Sequence, residues 1–129
     1  CEKIKKGEGL QAAIIGPTRE LVNQVSEEMK KFGKHKQLSV ATVFGGVSME
    51  PQYQALRKSE IVVATPGRML DHMQRGTMKL DKIKILVLDS ASYINHRFFY
   101  LRSALPVVFP FRVGCMYSLP FLNISIYMY

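Results

Sequence analysis

Three short stretches hold residues whose chemistry belongs together: Pro17-Thr18-Arg19, Gly45-Gly46 and Thr65-Pro66-Gly67-Arg68. Threonine hydroxyls donate to phosphate oxygens, and an arginine fork does so two bonds at a time. Unencumbered glycine amides and helix N-termini bind the same oxygens. Such donors hold a sugar-phosphate backbone and carry affinity, with little readout of base sequence. Taken singly, each stretch also suits a plain strand exit, a tight turn or a helix start. Their placement says more. All three fall on the carboxyl side of successive strand-like runs, where ligands sit in parallel α/β sheets. Thr18, Arg19, the Gly45 and Gly46 amides, Thr65 and Arg68 are therefore expected along one edge.

The elements that would place them can be read from periodicity. Gln11 to Ile15 reads as a strand whose apolar run, Ala12 to Ile15, stops at Gly16-Pro17. Leu21, Val22, Val25, Met29 and Phe32 then recur at helical spacing, with Glu27, Glu28, Lys30 and Lys31 on the other side. Thr18 suits the N-cap of this helix and Gly33 its C′ position. Leu38 to Phe44 is apolar and β-branched enough for a second strand, closed by Gly45-Gly46. Ser48 to Lys58 reads as a short helix with Pro51 in its first turn, where proline is tolerated. Glu60 to Ala64 is a third strand. Thr65-Pro66 supplies an N-cap with proline at the first helical position, and Gly76 ends that helix. Ile83 to Leu88 is a fourth, almost continuously apolar strand ending on Asp89. Strands that alternate with helices and are buried on both faces imply an α/β fold, a parallel sheet flanked by helices.

Length and composition bound the rest. The chain of 129 residues makes one domain or part of one. Its net charge of +8 suits an anionic partner, nucleic acid first, although a merely soluble basic surface has the same signature. Cys1 and Cys115 lack metal or redox spacing, which fits a reducing intracellular compartment, nucleus or cytoplasm. Cys1 at the start reads as a cut or processed end, and the charged run to Gly9 is not a secretory signal.

Composition breaks sharply at Asp89/Ser90. Up to Asp89 there are 15 Lys and Arg against 10 Asp and Glu; beyond it there are three Arg, no Lys and no acid. The second stretch holds 10 of the 13 aromatic residues, and Pro106, Pro110 and Pro120 interrupt its apolar runs. No element is expected there from periodicity. A membrane span is disfavoured, because the charge-free run Val113 to Tyr129 is at the short limit for crossing. The division expected is residues 1–89 as the α/β unit and 90–129 as an apolar, aromatic tail. That tail is either sequence from another source, such as a frame change or alternative exon, or a partner-binding or membrane-seeking extension.

Pro17-Thr18-Arg19-Glu20-Leu21 resembles the PTREL motif of the DEAD-box ATP-dependent RNA helicases, in the first RecA-like domain of that family. Gly45-Gly46 is similar to its GG motif, Thr65-Pro66-Gly67-Arg68 to its TPGR motif, and Val87-Leu88-Asp89 to the VLD before its EAD. Order and approximate spacing agree from about Gly9 to Asp89. The resemblance implies a partial RecA-like domain of the P-loop NTPase class. It implies RNA-binding roles for Pro17, Thr18, Arg19, Gly45, Gly46, Thr65, Gly67 and Arg68 on the backbone of a single strand. It also implies ATP and magnesium as cofactors, with Asp89 helping to hold the metal through the nucleotide.

The departures from the family pattern fall on the nucleotide side. The tetrad reads Asp89-Ser90-Ala91-Ser92, so Ser90 stands where the family has its general-base Glu, and no catalytic residue is intact. Loss of a general base typically costs about 10²–10⁴-fold in rate. No Gly-x-x-x-x-Gly-Lys-Ser/Thr loop occurs to cradle the β- and γ-phosphates. The family's Ser-Ala-Thr motif and second RecA-like domain are also absent from this sequence. The expectation is a helicase fragment that grips RNA and lacks ATPase and unwinding activity by itself. The alternative is a non-enzymatic RNA-binding or decoy fragment, its protein partners unknown.

Overall fold

Four parallel strands stand side by side in the order β2-β3-β1-β4, with β1 Ala12–Ile15, β2 Val40–Val43, β3 Ile61–Ala64 and β4 Ile85–Leu88. The computed structural model describes residues 4–88, 117–118 and 125–128. Each strand has only four residues, and β1 and β3 are buried at every position. That double-sided burial explains why their sequences, AAII and IVVA, lack alternation.

The side chains divide by parity between two cores. Ala13, Ile15, Ala41, Val43, Val62, Ala64, Leu86 and Leu88 share one cluster with Leu56 and Met69. Leu56 belongs to α2 Met49–Lys58 and Met69 to α3 Pro66–Gln74, so both helices cover that face. Ala12, Ile14, Ile61 and Val63 point to the opposite face and cluster with Val22, Val25 and Met29 of α1 Arg19–His35. Ile4, from the charged leading segment, is buried in this second cluster.

The helix starts agree with their sequence signals. Thr18 Oγ1 caps α1 by accepting from the Leu21 amide at 3.3 Å. Pro66 opens α3, and Gly76, at φ +68°, follows its end. The end of α1 differs from expectation. The helix runs past Gly33 to His35, and the left-handed residue is Gln37, at φ +54°. Gly33 serves another purpose: a Cβ placed on it would lie 3.0 Å from the Leu38 carbonyl oxygen. The returning chain packs directly on the helix backbone there, and the Leu38 amide donates to Gly33 O at 2.9 Å.

Beyond Asp89 the structure supplies two strands that periodicity does not reveal. β6 Ser125–Met128 pairs in parallel with β4, and β5 Tyr117–Ser118 pairs antiparallel with β6. Strands of two and four residues are too short to express a period. The segment containing Pro106 and Pro110 lies outside the described residues, as does most of the apolar run weighed as a membrane span. Among the described residues, no helix is long and apolar enough to cross a membrane.

Candidate nucleic-acid interface

Strand register brings the three donor stretches to one edge. Val43 pairs with Ala64, Ala64 with Ile15, and Ile15 with Leu88, so the four strand ends form a single row. At an interstrand spacing of about 4.8 Å, the row is about 14 Å long. The ladder continues one step beyond it: Gly16 N donates to Ala64 O at 3.0 Å and Thr65 N to Val43 O at 2.9 Å. Phe44-Gly45-Gly46, Thr65 and Pro17-Thr18 therefore leave the sheet at one level. Thr18, Arg19, Gly45 and Gly46 are exposed, while Pro17, Thr65, Gly67 and Arg68 are half-buried. All eight RNA-binding residues expected from sequence lie at this edge. Asp89 and Ser90, the expected metal-holding and general-base positions, lie outside the described residues.

The available donors differ in how they are held. The Thr18 hydroxyl accepts from Leu21 N and keeps its own proton for an external acceptor. Thr65 occupies the N-cap of α3 without a side-chain cap bond, which leaves its hydroxyl unengaged by the helix. Arg19 lies over the Phe44 ring, its Cζ 4.5 Å from the ring centroid. It thereby reaches from the β1 exit to the β2 exit across β3, two strand spacings or about 10 Å. Gly46, at φ +82°, sits beside it: a Cβ there would be 3.8 Å from Arg19 Nη1. Arg19 has no ion-pair partner among the described residues. The Arg68 side chain is largely buried, and its Nε has no hydrogen-bond partner among the described residues. The Asp71 carboxylate approaches that Nε to 3.9 Å, too far for a hydrogen bond.

Behind this edge runs a buried polar chain that the sequence reading did not single out. Gln52 Nε2 donates to the Phe44 carbonyl at 3.0 Å, and its Oε1 lies 3.2 Å from His72 Nε2. His72 Nδ1 is 2.8 Å from the Thr77 hydroxyl. Because Gln52 Oε1 can only accept, the imidazole carries a proton on Nε2. Burial pushes the His72 pKa down from about 6.5; the positive charge of Arg68 adds to the depression, and Asp71 partly offsets it. The Thr77 hydroxyl that faces Nδ1 donates its proton to the His72 carbonyl at 2.9 Å. The available signal was a polar residue on each apolar stripe: Gln52 four before Leu56, and His72 three after Met69.

The edge suits an anion along its length. No group of three His, Cys, Asp or Glu side chains capable of holding a metal occurs among the described residues. The exit of β1 also carries Pro17, which has no amide proton to offer a phosphate.

Comparison with known proteins gives the same family. The DEAD/DEAH box helicase model matches residues 1–101. A probable ATP-dependent RNA helicase of Methanocaldococcus jannaschii is 43% identical over 90 residues, 70% of this chain and 24% of that protein. The chain thus spans about a quarter of the length of this relative. The crystal structure of a DEAD box protein from Methanococcus jannaschii matches with a TM-score of 0.79 at 31% identity. The match covers 98% of this chain and 32% of that one. A hypothetical ATP-dependent RNA helicase from Sulfolobus tokodaii matches with a TM-score of 0.71 at 26% identity, over 93% of this chain and 33% of its own.

Proposed function

The chain belongs to the DEAD/DEAH box helicase family, and from that premise we propose that it is the RNA-gripping part of a first RecA-like domain. It holds a single strand by the sugar-phosphate backbone through Pro17, Thr18, Arg19, Gly45, Gly46, Thr65, Gly67 and Arg68. The observation that carries this reading is the row of strand ends, with an exposed Arg19 at one exit that has no ion-pair partner among the described residues, and the partly unsatisfied Arg68 at another. Backbone gripping carries little sequence preference, in keeping with donors that are amides, hydroxyls and guanidinium groups. Residues 1–89 contain the gripping unit, and residues 90–129 form a separate tail in function, although β6 joins the sheet. The setting is intracellular, nucleus or cytoplasm.

Helicases of this family depend on ATP and magnesium. In this chain Ser90 stands in the tetrad position of the water-activating Glu, and no phosphate-cradling Gly-Lys loop occurs. We propose that this chain alone neither hydrolyses ATP nor unwinds RNA. If Asp89 meets a magnesium ion at all, it does so through a bound nucleotide. A second reading, a non-enzymatic decoy that occupies RNA, rests on the same retained edge.

The test is fluorescence anisotropy of labelled single-stranded RNA at two salt concentrations, with and without ATP and magnesium. Binding should weaken with salt, at a log–log slope of roughly −0.7 per phosphate contact. It should be indifferent to ATP. Arg19→Ala with Arg68→Ala should lower affinity about equally for all RNA sequences. An unchanged affinity in that double variant would remove the site assignment, and binding strengthened by ATP would overturn the account of the nucleotide side.

A further inference from the structure

We infer that Gln52 and His72 form a buried strut that positions the Phe44-Gly45-Gly46 turn, and with it Arg19, for backbone gripping. The inference rests on the RNA-gripping reading above and adds two positioning residues that touch no RNA. The strut begins on α3, four residues after Arg68, where His72 is fully buried between the Thr77 hydroxyl and Gln52. It crosses to α2 at Gln52, which is 6% exposed, and ends on the Phe44 carbonyl at the close of β2. Phe44 is the last residue before two exposed glycines, and its ring lies under the Arg19 guanidinium.

A chain about to enter Gly45-Gly46 has little of its own to fix its direction. The partly buried Phe44 ring and its carbonyl anchor it to the domain. Packing holds the ring against the α1 side of the sheet. The Gln52 amide holds the carbonyl from the other side. An apolar side chain at position 52 would fill the space but would leave that carbonyl without its directional bond. Thus α3, which bears Arg68, and the turn beside Arg19 are joined by consecutive hydrogen bonds of 3.2 and 3.0 Å. The relative placement of the two arginines follows from them.

The experiment is a double-mutant cycle on the full 129-residue chain, read by anisotropy of a fluorescein-labelled single-stranded oligouridine RNA. Gln52→Leu should weaken binding about 5-fold, the scale of one positioning hydrogen bond. In that background Arg19→Ala should cost clearly less than it does in the parent, because the turn no longer holds Arg19 in place. Additive effects would reduce Gln52 to a residue of general stability and overturn the strut. Gln52→Glu is the second variant: it keeps an oxygen for His72 and loses the amide that donates to Phe44. It should match Gln52→Leu in affinity, and it replaces Gln52→Leu in the cycle if that variant does not fold. Parent-like binding by Gln52→Glu also overturns the proposal. If Arg19→Ala has no effect in the parent, the gripping interface itself is wrong; if it weakens binding but is additive with Gln52→Leu, only the strut is wrong.

Discussion

The Glu60 carboxylate accepts a 2.8 Å hydrogen bond from the Ser39 amide at the start of the β2 side of the sheet. Its other oxygen accepts from Gly7 N at 3.0 Å, and the residue is 5% exposed. One buried carboxylate therefore ties the leading segment and the chain entering β2 to the amino end of β3. Glu60→Ala leaves two amides without their acceptor, and should destabilise the fold by about 2–4 kcal/mol. Glu60→Gln should cost less, because one of its two positions still accepts. Urea unfolding followed by circular dichroism checks both, and equal stability of Glu60→Ala and the parent would show that the carboxylate is not a tie.

Gly33 gives a prediction opposite to helix propensity. Alanine in a helix interior is normally better than glycine by about 1 kcal/mol. Here the added Cβ would meet the Leu38 carbonyl oxygen at 3.0 Å, a backbone atom that cannot swing away. Gly33→Ala should therefore destabilise, by about 1–3 kcal/mol, through the displacement of Leu38 from the α1 backbone. A gain in the urea midpoint would mean that the chain after α1 relaxes freely.

Gly33 also shows where sequence legibility stops. The four central strands were readable because short apolar runs end at Gly16, Gly45, Thr65 and Asp89. Their joints placed the donor stretches in one row directly, since parallel strands must put their carboxyl ends together. A glycine near the end of an amphipathic run looks the same whether it caps the helix or admits a neighbouring backbone, and only the position of Leu38 decides. β5 and β6 were hidden by their brevity. Gln52 and His72 were hidden because polar residues on apolar stripes are usually satisfied locally, whereas here they partner each other across two helices, 20 residues apart in sequence.

The two glycines of the β2–α2 turn should respond differently to alanine. Gly46 has φ +82°, a conformation that costs an L side chain roughly 1–2 kcal/mol. Gly45 has no positive φ, and a Cβ there would meet nothing within 4 Å. Gly46→Ala should lower stability by about 1 kcal/mol, while Gly45→Ala should lie within about 0.5 kcal/mol of the parent. Thermal unfolding of the pair separates backbone strain from loss of space. Equal losses at both positions would show that crowding, and not φ, restricts the turn.

His72 should make stability depend on pH in one direction. Burial first, then the neighbouring charge of Arg68 and, more weakly, Arg75, holds its folded pKa below the unfolded value of about 6.5, with Asp71 opposing. Between those two values the unfolded chain binds more protons, so stability rises with pH. Above about pH 6.5 the contribution is fully present. It falls as the pH drops below 6.5 and levels off beneath the depressed folded value. The slope from one such group cannot exceed about 1.4 kcal/mol per pH unit. Urea unfolding at pH 7.5, 6 and 5 should show the parent losing stability toward acid, and His72→Gln should lose less over the same interval. The same slope in both proteins would place the proton uptake on another group and would return His72 to a neutral, pH-insensitive link in the chain from Thr77 to Phe44.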